Sequence, residues 1–216
     1  MKQHFITEQA RALEGAPCAM FFSGGKDAIV SGHLLRQYHK RTIYWIYLYF
    51  VDGLSFVENT LRTYERMWGI SILRRPCHEH LSILSEMEGK KKTRYTYGDT
   101  EKLYRDEVGA EWICSGIKRA DSFARRGMLS GIENGIDWKS KKIYPLIDWS
   151  DKKVVAYCHV NKLPLPPTYS RFHRSVWVPN ADMMIWMKAT YPDDYEKIIN
   201  TFPIVGDAVF KRIGSV

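Results

Sequence analysis

Ser23-Gly24-Gly25-Lys26-Asp27 is the segment whose residue types most plainly suggest chemistry. It joins a short apolar run, Pro17 to Phe22, to the helical pattern of Lys26 to Lys40. Two glycines let a backbone bend tightly and approach a ligand closely. A helix start adds unpaired N–H groups and a positive dipole end, which together favour phosphate. Ser23 contributes a hydroxyl and Lys26 a mobile cation. Asp27 suits a Mg²⁺ ion or an acidic first helical turn. The pattern Gly-x-x-x-x-Gly-Lys-Ser/Thr is absent, which excludes an ordinary P-loop NTPase. The bland alternative is a plain strand-to-helix turn.

Two further clusters fall where strands are expected to end. Asp52-Gly53 follows Ile43 to Val51, a nearly continuous apolar and aromatic run of the kind buried on both faces. Gly116-Ile117-Lys118-Arg119 follows the run Glu111 to Ser115. A third strand is expected at Ile70 to Leu73. Helices are expected over Ser55 to Trp68, near His78 to Met87, and over Asp151 to Asn161. Ser55 with Glu58 has the spacing of a capping box. Glu88 to Gly98, with Lys90, Lys91, Lys92 and Arg94, is expected to be a loop or lid, and Gly127 to Ser140 a second loop. The alternation predicts an α/β fold: one domain with a mostly parallel twisted sheet, helices on both faces and a helical C-terminal tail. In such sheets ligands bind beyond the carboxyl ends of the strands, where all three clusters are expected.

Composition is that of a globular chain: 216 residues, 45% apolar and 26% charged. The net charge of +8 favours an anionic partner without distinguishing phosphate-rich small molecules from nucleic acid. Four widely spaced cysteines form no Cys-x-x-Cys pair, so neither a zinc ribbon nor an iron–sulfur cluster is expected. No run is long enough to cross a membrane, and a cytoplasmic location is the expectation. Cys77-His78-Glu79-His80 has metal-capable residue types, but adjacent residues on a helix do not converge on one ion.

The loop resembles the Ser-Gly-Gly-x-Asp-Ser loop of the N-type ATP pyrophosphatases, and within them the chain resembles the phosphoadenosine phosphosulfate reductase group, which includes the small subunit of ATP sulfurylase. Val51-Asp52-Gly53 with Phe56 and Glu58-Asn59-Thr60 is similar to that group's Asp-Thr-Gly…Phe-x-Glu-Thr segment. Gly116-Ile117-Lys118-Arg119 with Asp121-Ser122 and Arg125 is similar to Gly-x-Arg-Arg…Ser…Arg. Tyr144 to Ser150, with Val154, Tyr157 and Leu163-Pro164, is similar to Pro-Leu-x-x-Trp-Thr…Val-x-x-Tyr…Leu-Pro. The matches run in order from Pro17 to Tyr169. They divide the chain into a nucleotide-binding domain, residues 1–170, and an extension, residues 171–216, packed on it.

The resemblance implies attack on the α-phosphate of ATP, giving an adenylated product and pyrophosphate, with sulfate as an acceptor and a partner subunit or homo-oligomer. Ser23, Gly24, Gly25, Lys26 and Asp27 would then hold the β,γ-phosphates, with Mg²⁺ on Asp27. Asp52 and Gly53 would line the nucleoside side, and Gly116 would permit close approach. Lys26, Lys118 and Arg119 would be the catalytic cations, with Arg125 at the entrance beside Arg126. Arg36 is expected to face solvent. Two departures matter. Ala28 stands where the group has Ser, and Lys118 replaces an Arg. The group's C-terminal Glu-Cys-Gly-Leu-His motif is also missing, which leaves the alternative, a sulfonucleotide reductase acting on a PAPS- or APS-like nucleotide, without its nucleophile. A second alternative is a nucleic-acid-binding or -modifying accessory protein that uses Tyr169, Arg171, Phe172, His173, Arg174 and Trp177.

Overall fold

Short apolar runs can be buried on both faces only inside a sheet covered by helices, and the chain is built that way. The computed structural model describes residues 3–88, 94–172 and 181–202. Lys90, Lys91, Lys92, His173, Arg174 and Trp177 lie outside these residues. In chain order the elements are α1 (Gln3–Leu13), β1 (Cys18–Phe21), α2 (Lys26–Tyr38), β2 (Ile43–Tyr49), α3 (Ser55–Trp68), β3 (Ile72–Pro76), α4 (His78–Met87), α5 (Tyr97–Val108), β4 (Trp112–Cys114), α6 (Phe123–Met128), β5 (Ile136–Asp137), β6 (Lys142–Ile143), α7 (Asp151–Val160), α8 (Pro167–Phe172), α9 (Ala181–Thr190) and α10 (Pro192–Thr201).

The six strands form one sheet in the order β3-β2-β1-β4-β6-β5. Every ladder is parallel except the edge pair β5–β6. Alternation along β1 sends Cys18 and Met20 to one face and Ala19 to the other. The larger face is covered by α2, α3, α7, α9 and α10 through residues such as Leu34, Leu61, Val154, Met184 and Ile198. The smaller face is covered by Leu81 of α4 and Tyr104 and Val108 of α5.

The structure alters four local expectations. Ser55 does not cap α3: the N-cap is Leu54, without a side-chain bond. Instead Asp194 of α10 accepts from Ser55 N–H (2.8 Å), Ser55 Oγ (2.8 Å) and Phe56 N–H (3.1 Å). Glu58, freed from a capping box, pairs with Arg74 at 2.8 Å. The segment expected to be a loop through Gly98 ends earlier, because Thr96 and Asp99 form a reciprocal capping box that starts α5. Within Gly127 to Ser140, β5 forms on pairing with β6. Arg36 is half-buried and donates to the Trp68 carbonyl at 2.8 Å, so it ties α2 to α3.

Candidate functional site

The sheet order reverses direction between β1 and β4, and parallel sheets open a crevice at such a switch. A cleft of 270 Å³ lies there. Phe21, Phe22, Ile46 and Leu48 form apolar walls, while Ser23, Asp27, Ser115 and Asp121 line its polar end. Tyr97 borders the same cleft, 6.5 Å from Phe21 between ring centres. Burial, then the nearby Glu101 carboxylate, raises the Tyr97 pKa, so its phenol stays protonated.

Gly24 has φ +72°, a left-handed bend that other residues adopt with strain. Gly25 caps α2 with extended backbone, and the Ser23 hydroxyl accepts from its N–H at 3.3 Å. The first N–H groups of α2 therefore begin directly behind the bend, as an anion-binding helix start requires. A side chain at Gly116 would meet the Asp27 carbonyl carbon at 3.0 Å. Glycine at 116 thus lets the loop after β4 press against the backbone of the loop after β1.

Beneath this contact the charges interlock. Lys26 Nζ lies 2.6 Å from Asp27 Oδ2 and 3.1 Å from Asp151 Oδ1. Lys118, its side chain only 1% exposed, lies 2.9 Å from Asp27 Oδ1 and 3.0 Å from Asp151 Oδ1, and it donates to Asp121 Oδ1. Burial alone would lower the Lys118 pKa, but the bonds to Asp121 and Asp27 more than reverse that and hold it above the usual lysine value. Burial would raise Asp151, but Lys118 and Lys26 draw it below the usual carboxylate range.

The donor set of three carboxylates suits a hard divalent cation, yet the ammonium of Lys118 already fills its centre. Both Asp27 oxygens sit within ion-pair distance of lysines, so Mg²⁺ would have to displace an ammonium there, though the buried Oδ1 makes no hydrogen bond. Among the described residues no group of three His, Cys, Asp or Glu side chains is placed to hold a metal ion.

The remaining expected residues lie apart from this cluster. Arg119 is engaged elsewhere: it donates to the carbonyls of Leu129 (2.9 Å) and Ile132 (2.7 Å) and pairs with Asp148 at 2.5 Å. Its planar fork pins the 129–132 loop. Asp52 and Gly53 are exposed and do not line the cleft; the Gly53 carbonyl accepts from Lys197 of α10 at 2.7 Å. Arg125 is exposed on α6, beside Arg126 and an 89%-exposed Phe123.

Sequence reasoning did not assign Asp121, Asp151, Ser115 or Tyr97 to the site. Asp121 was visible as part of the Gly116 segment. Asp151 was visible only as the first residue of a helix, and nothing local shows that its carboxylate reaches two lysines.

All four cysteines are buried. Burial pushes the Cys77 thiol to about 12 and the Cys158 thiol to about 11, and raises Cys18 and Cys114 as well. A reactive cysteine needs the opposite environment, electropositive and partly exposed.

A mostly parallel sheet with a glycine-bent loop at its switch point defines the adenine-nucleotide-α-hydrolase-like fold class. Within it, the chain belongs to the phosphoadenosine phosphosulfate reductase domain family, whose model matches residues 17–215. Sulfate adenylyltransferase subunit 2 of Mycobacterium sp. (strain KMS) is 24% identical, over 94% of this chain and 74% of that protein. Two solved structures share the fold. The U34-tRNA thiolase NcsA from Methanococcus maripaludis, solved with its [4Fe-4S] cluster, has a TM-score of 0.50 and 16% identity, over 95% of this chain and 81% of that one. The NH3-dependent NAD synthetase from Campylobacter jejuni has a TM-score of 0.50 and 11% identity, over 96% and 90%. No described helix is long and apolar enough to cross a membrane.

Proposed function

We propose that this chain is a nucleotidyl-transfer enzyme that binds ATP, or a nucleotide like it, and directs an acceptor anion at the α-phosphate. One observation carries the reading: a glycine-bent loop, with two lysines packed on its Asp27, borders a cleft at the switch point of a mostly parallel sheet. The cleft walls at Phe21, Phe22, Ile46 and Leu48 suit a nucleoside, and the loop at residues 23–27 suits the β,γ-phosphates. An acceptor oxygen attacks the α-phosphorus, the bond to the bridging oxygen breaks, and pyrophosphate leaves. Negative charge grows on the α-phosphate oxygens and the leaving group. Lys26 and the α2 N–H groups stabilise it, with no covalent enzyme intermediate.

Lys118 acts here mainly by holding Asp27 and Asp121 in register. Arg119 acts by fixing the 129–132 loop, and Arg125 stands on the exposed approach. Asp52 and Gly53, outside the cleft, take no part in holding the nucleoside in this reading. A metal ion that accompanies the nucleotide is not assigned to Asp27. Sulfate is the proposed acceptor, and a partner subunit is proposed with it; the likeness to sulfate adenylyltransferase subunit 2 supports both. Residues 171–216 are proposed as an extension of the 1–170 domain, supported by the share that α9 and α10 take in the common core. The buried thiols speak against sulfonucleotide reduction, which needs a thiolate nucleophile.

The test is to incubate the purified chain with α-labelled ATP and a panel of oxyanions that includes sulfate. An adenylated product with equimolar pyrophosphate is expected. Reduction of a sulfonucleotide with no pyrophosphate from any acceptor would replace this reading with the reductase one.

A further inference from the structure

We propose that the Asp151 carboxylate occupies the position of a ligand oxyanion between Lys26 and Lys118, so that an incoming phosphate displaces it and Asp151 sets the anion affinity of the loop. The proposal rests on the phosphate-loop reading above and adds to it a residue from a different segment of the chain.

A single oxygen, Asp151 Oδ1, stands 3.1 Å from Lys26 Nζ and 3.0 Å from Lys118 Nζ. A phosphate oxygen is likewise acceptor-only and takes ammonium donors at about 2.7–2.9 Å. The three carboxylates of the cluster are not equally free to leave. Asp27 is part of the loop, and its two oxygens hold one lysine each. Asp121 is tied twice, since its Oδ2 also accepts from the Lys118 backbone N–H at 3.0 Å. Asp151 is the most exposed, 68% against 23% for Asp27 and 32% for Asp121. Its carboxylate moves into water with the smallest loss.

The charge count points the same way. Lys26 and Lys118 contribute two positive charges, and Asp27, Asp121 and Asp151 three negative ones, leaving the cluster at −1. A phosphate approaching that cluster meets net repulsion. Once Asp151 has swung out, two lysines face two carboxylates and the positive end of α2 dominates. The lysines are thus held ready by an internal anion. The ligand class that competes with it is a compact multivalent oxyanion, such as the pyrophosphate portion of a nucleotide.

Asp151→Asn keeps the size of the side chain and an acceptor oxygen but removes the charge. Titration of the full chain with inorganic pyrophosphate in a calorimeter, without added metal, is expected to show Asp151→Asn binding about fivefold or more tighter than the parent, the scale of losing one partly exposed charge pair. Asp151→Ser is expected to do the same, which keeps the test decisive if the Asn variant folds poorly. Lys26→Ala is expected to lose binding.

If the parent binds pyrophosphate and both Asp151 variants bind it equally or more weakly, the displacement proposal is overturned while the phosphate loop stands. If neither parent nor Asp151 variants bind pyrophosphate at millimolar concentration, the phosphate-loop reading fails, and this proposal with it.

Discussion

Asp194→Ala tests whether the C-terminal helices hold α3 and the sheet it covers in shape. The Asp194 carboxylate, in a residue only 1% exposed, is the acceptor for the start of α3 through Ser55 N–H, Ser55 Oγ and Phe56 N–H. Its removal acts in two ways. The loss of a helix N-cap costs about 1 kcal/mol. Ser55 is exposed and can turn to water, whereas Phe56 is buried and its N–H loses an acceptor, at about 1–3 kcal/mol. The expected loss is therefore about 2–4 kcal/mol, or roughly 4–16 °C in melting temperature for a chain of this size.

Asp194→Asn keeps one acceptor oxygen but loses the charge that favours a helix N-terminus, and is expected to lose about half as much. Urea unfolding followed by far-ultraviolet circular dichroism measures both, with the parent slope as the check on two-state behaviour. A loss below about 0.5 kcal/mol for Asp194→Ala, within the range of ordinary surface substitutions, would refute the reasoning and show that water caps α3 adequately.

Other expectations follow from single features. Arg119→Ala frees the carbonyls of Leu129 and Ile132, so the 129–132 loop is expected to exchange its amide hydrogens at least about tenfold faster, with Arg119→Lys rescuing only in part because a point charge cannot replace a planar fork; unchanged exchange in Arg119→Ala would deny Arg119 this role. Native protein treated with iodoacetamide near pH 8 is expected to stay unlabelled and keep its turnover, whereas urea-unfolded protein labels at all four cysteines; turnover lost in step with native labelling would point to a working thiol. His33 and His39 are held below the ordinary value of 6.5, chiefly by burial, so the unfolded chain binds more protons than the folded one just below that pH. Their neutral forms therefore support the fold fully above pH 6.5, and that support is lost as pH falls through the lower folded values. Denaturation midpoints are expected to drop on acidification below 6.5, and a His33→Asn, His39→Gln double variant is expected to flatten that drop. An equal drop in the double variant would place its cause elsewhere.

Local pattern was enough for the frame of this protein. Apolar runs bounded by glycine and polar residues specify β1, β2 and β4, because a strand buried on both faces has no other composition available to it. The Ser23 to Asp27 loop was readable for a similar reason: a left-handed bend followed by a helix start calls for glycine at 24 and needs no distant partners. Tertiary structure decided what depends on residues far apart in the chain. Ser55 and Glu58 have capping-box spacing, yet a carboxylate 139 residues away takes the Ser55 N–H and an arginine on β3 takes Glu58. Lys118 and Arg119 are neighbours with the same charge, but successive side chains leave the backbone in different directions. One is buried among three carboxylates, and the other clamps a loop. Asp151 reads as an ordinary first residue of a helix, and only the packing of α7 against α2 brings its carboxylate onto both lysines. Sequence spacing describes neighbours along one element, while the charges at this site are balanced between elements that meet only once the sheet has closed.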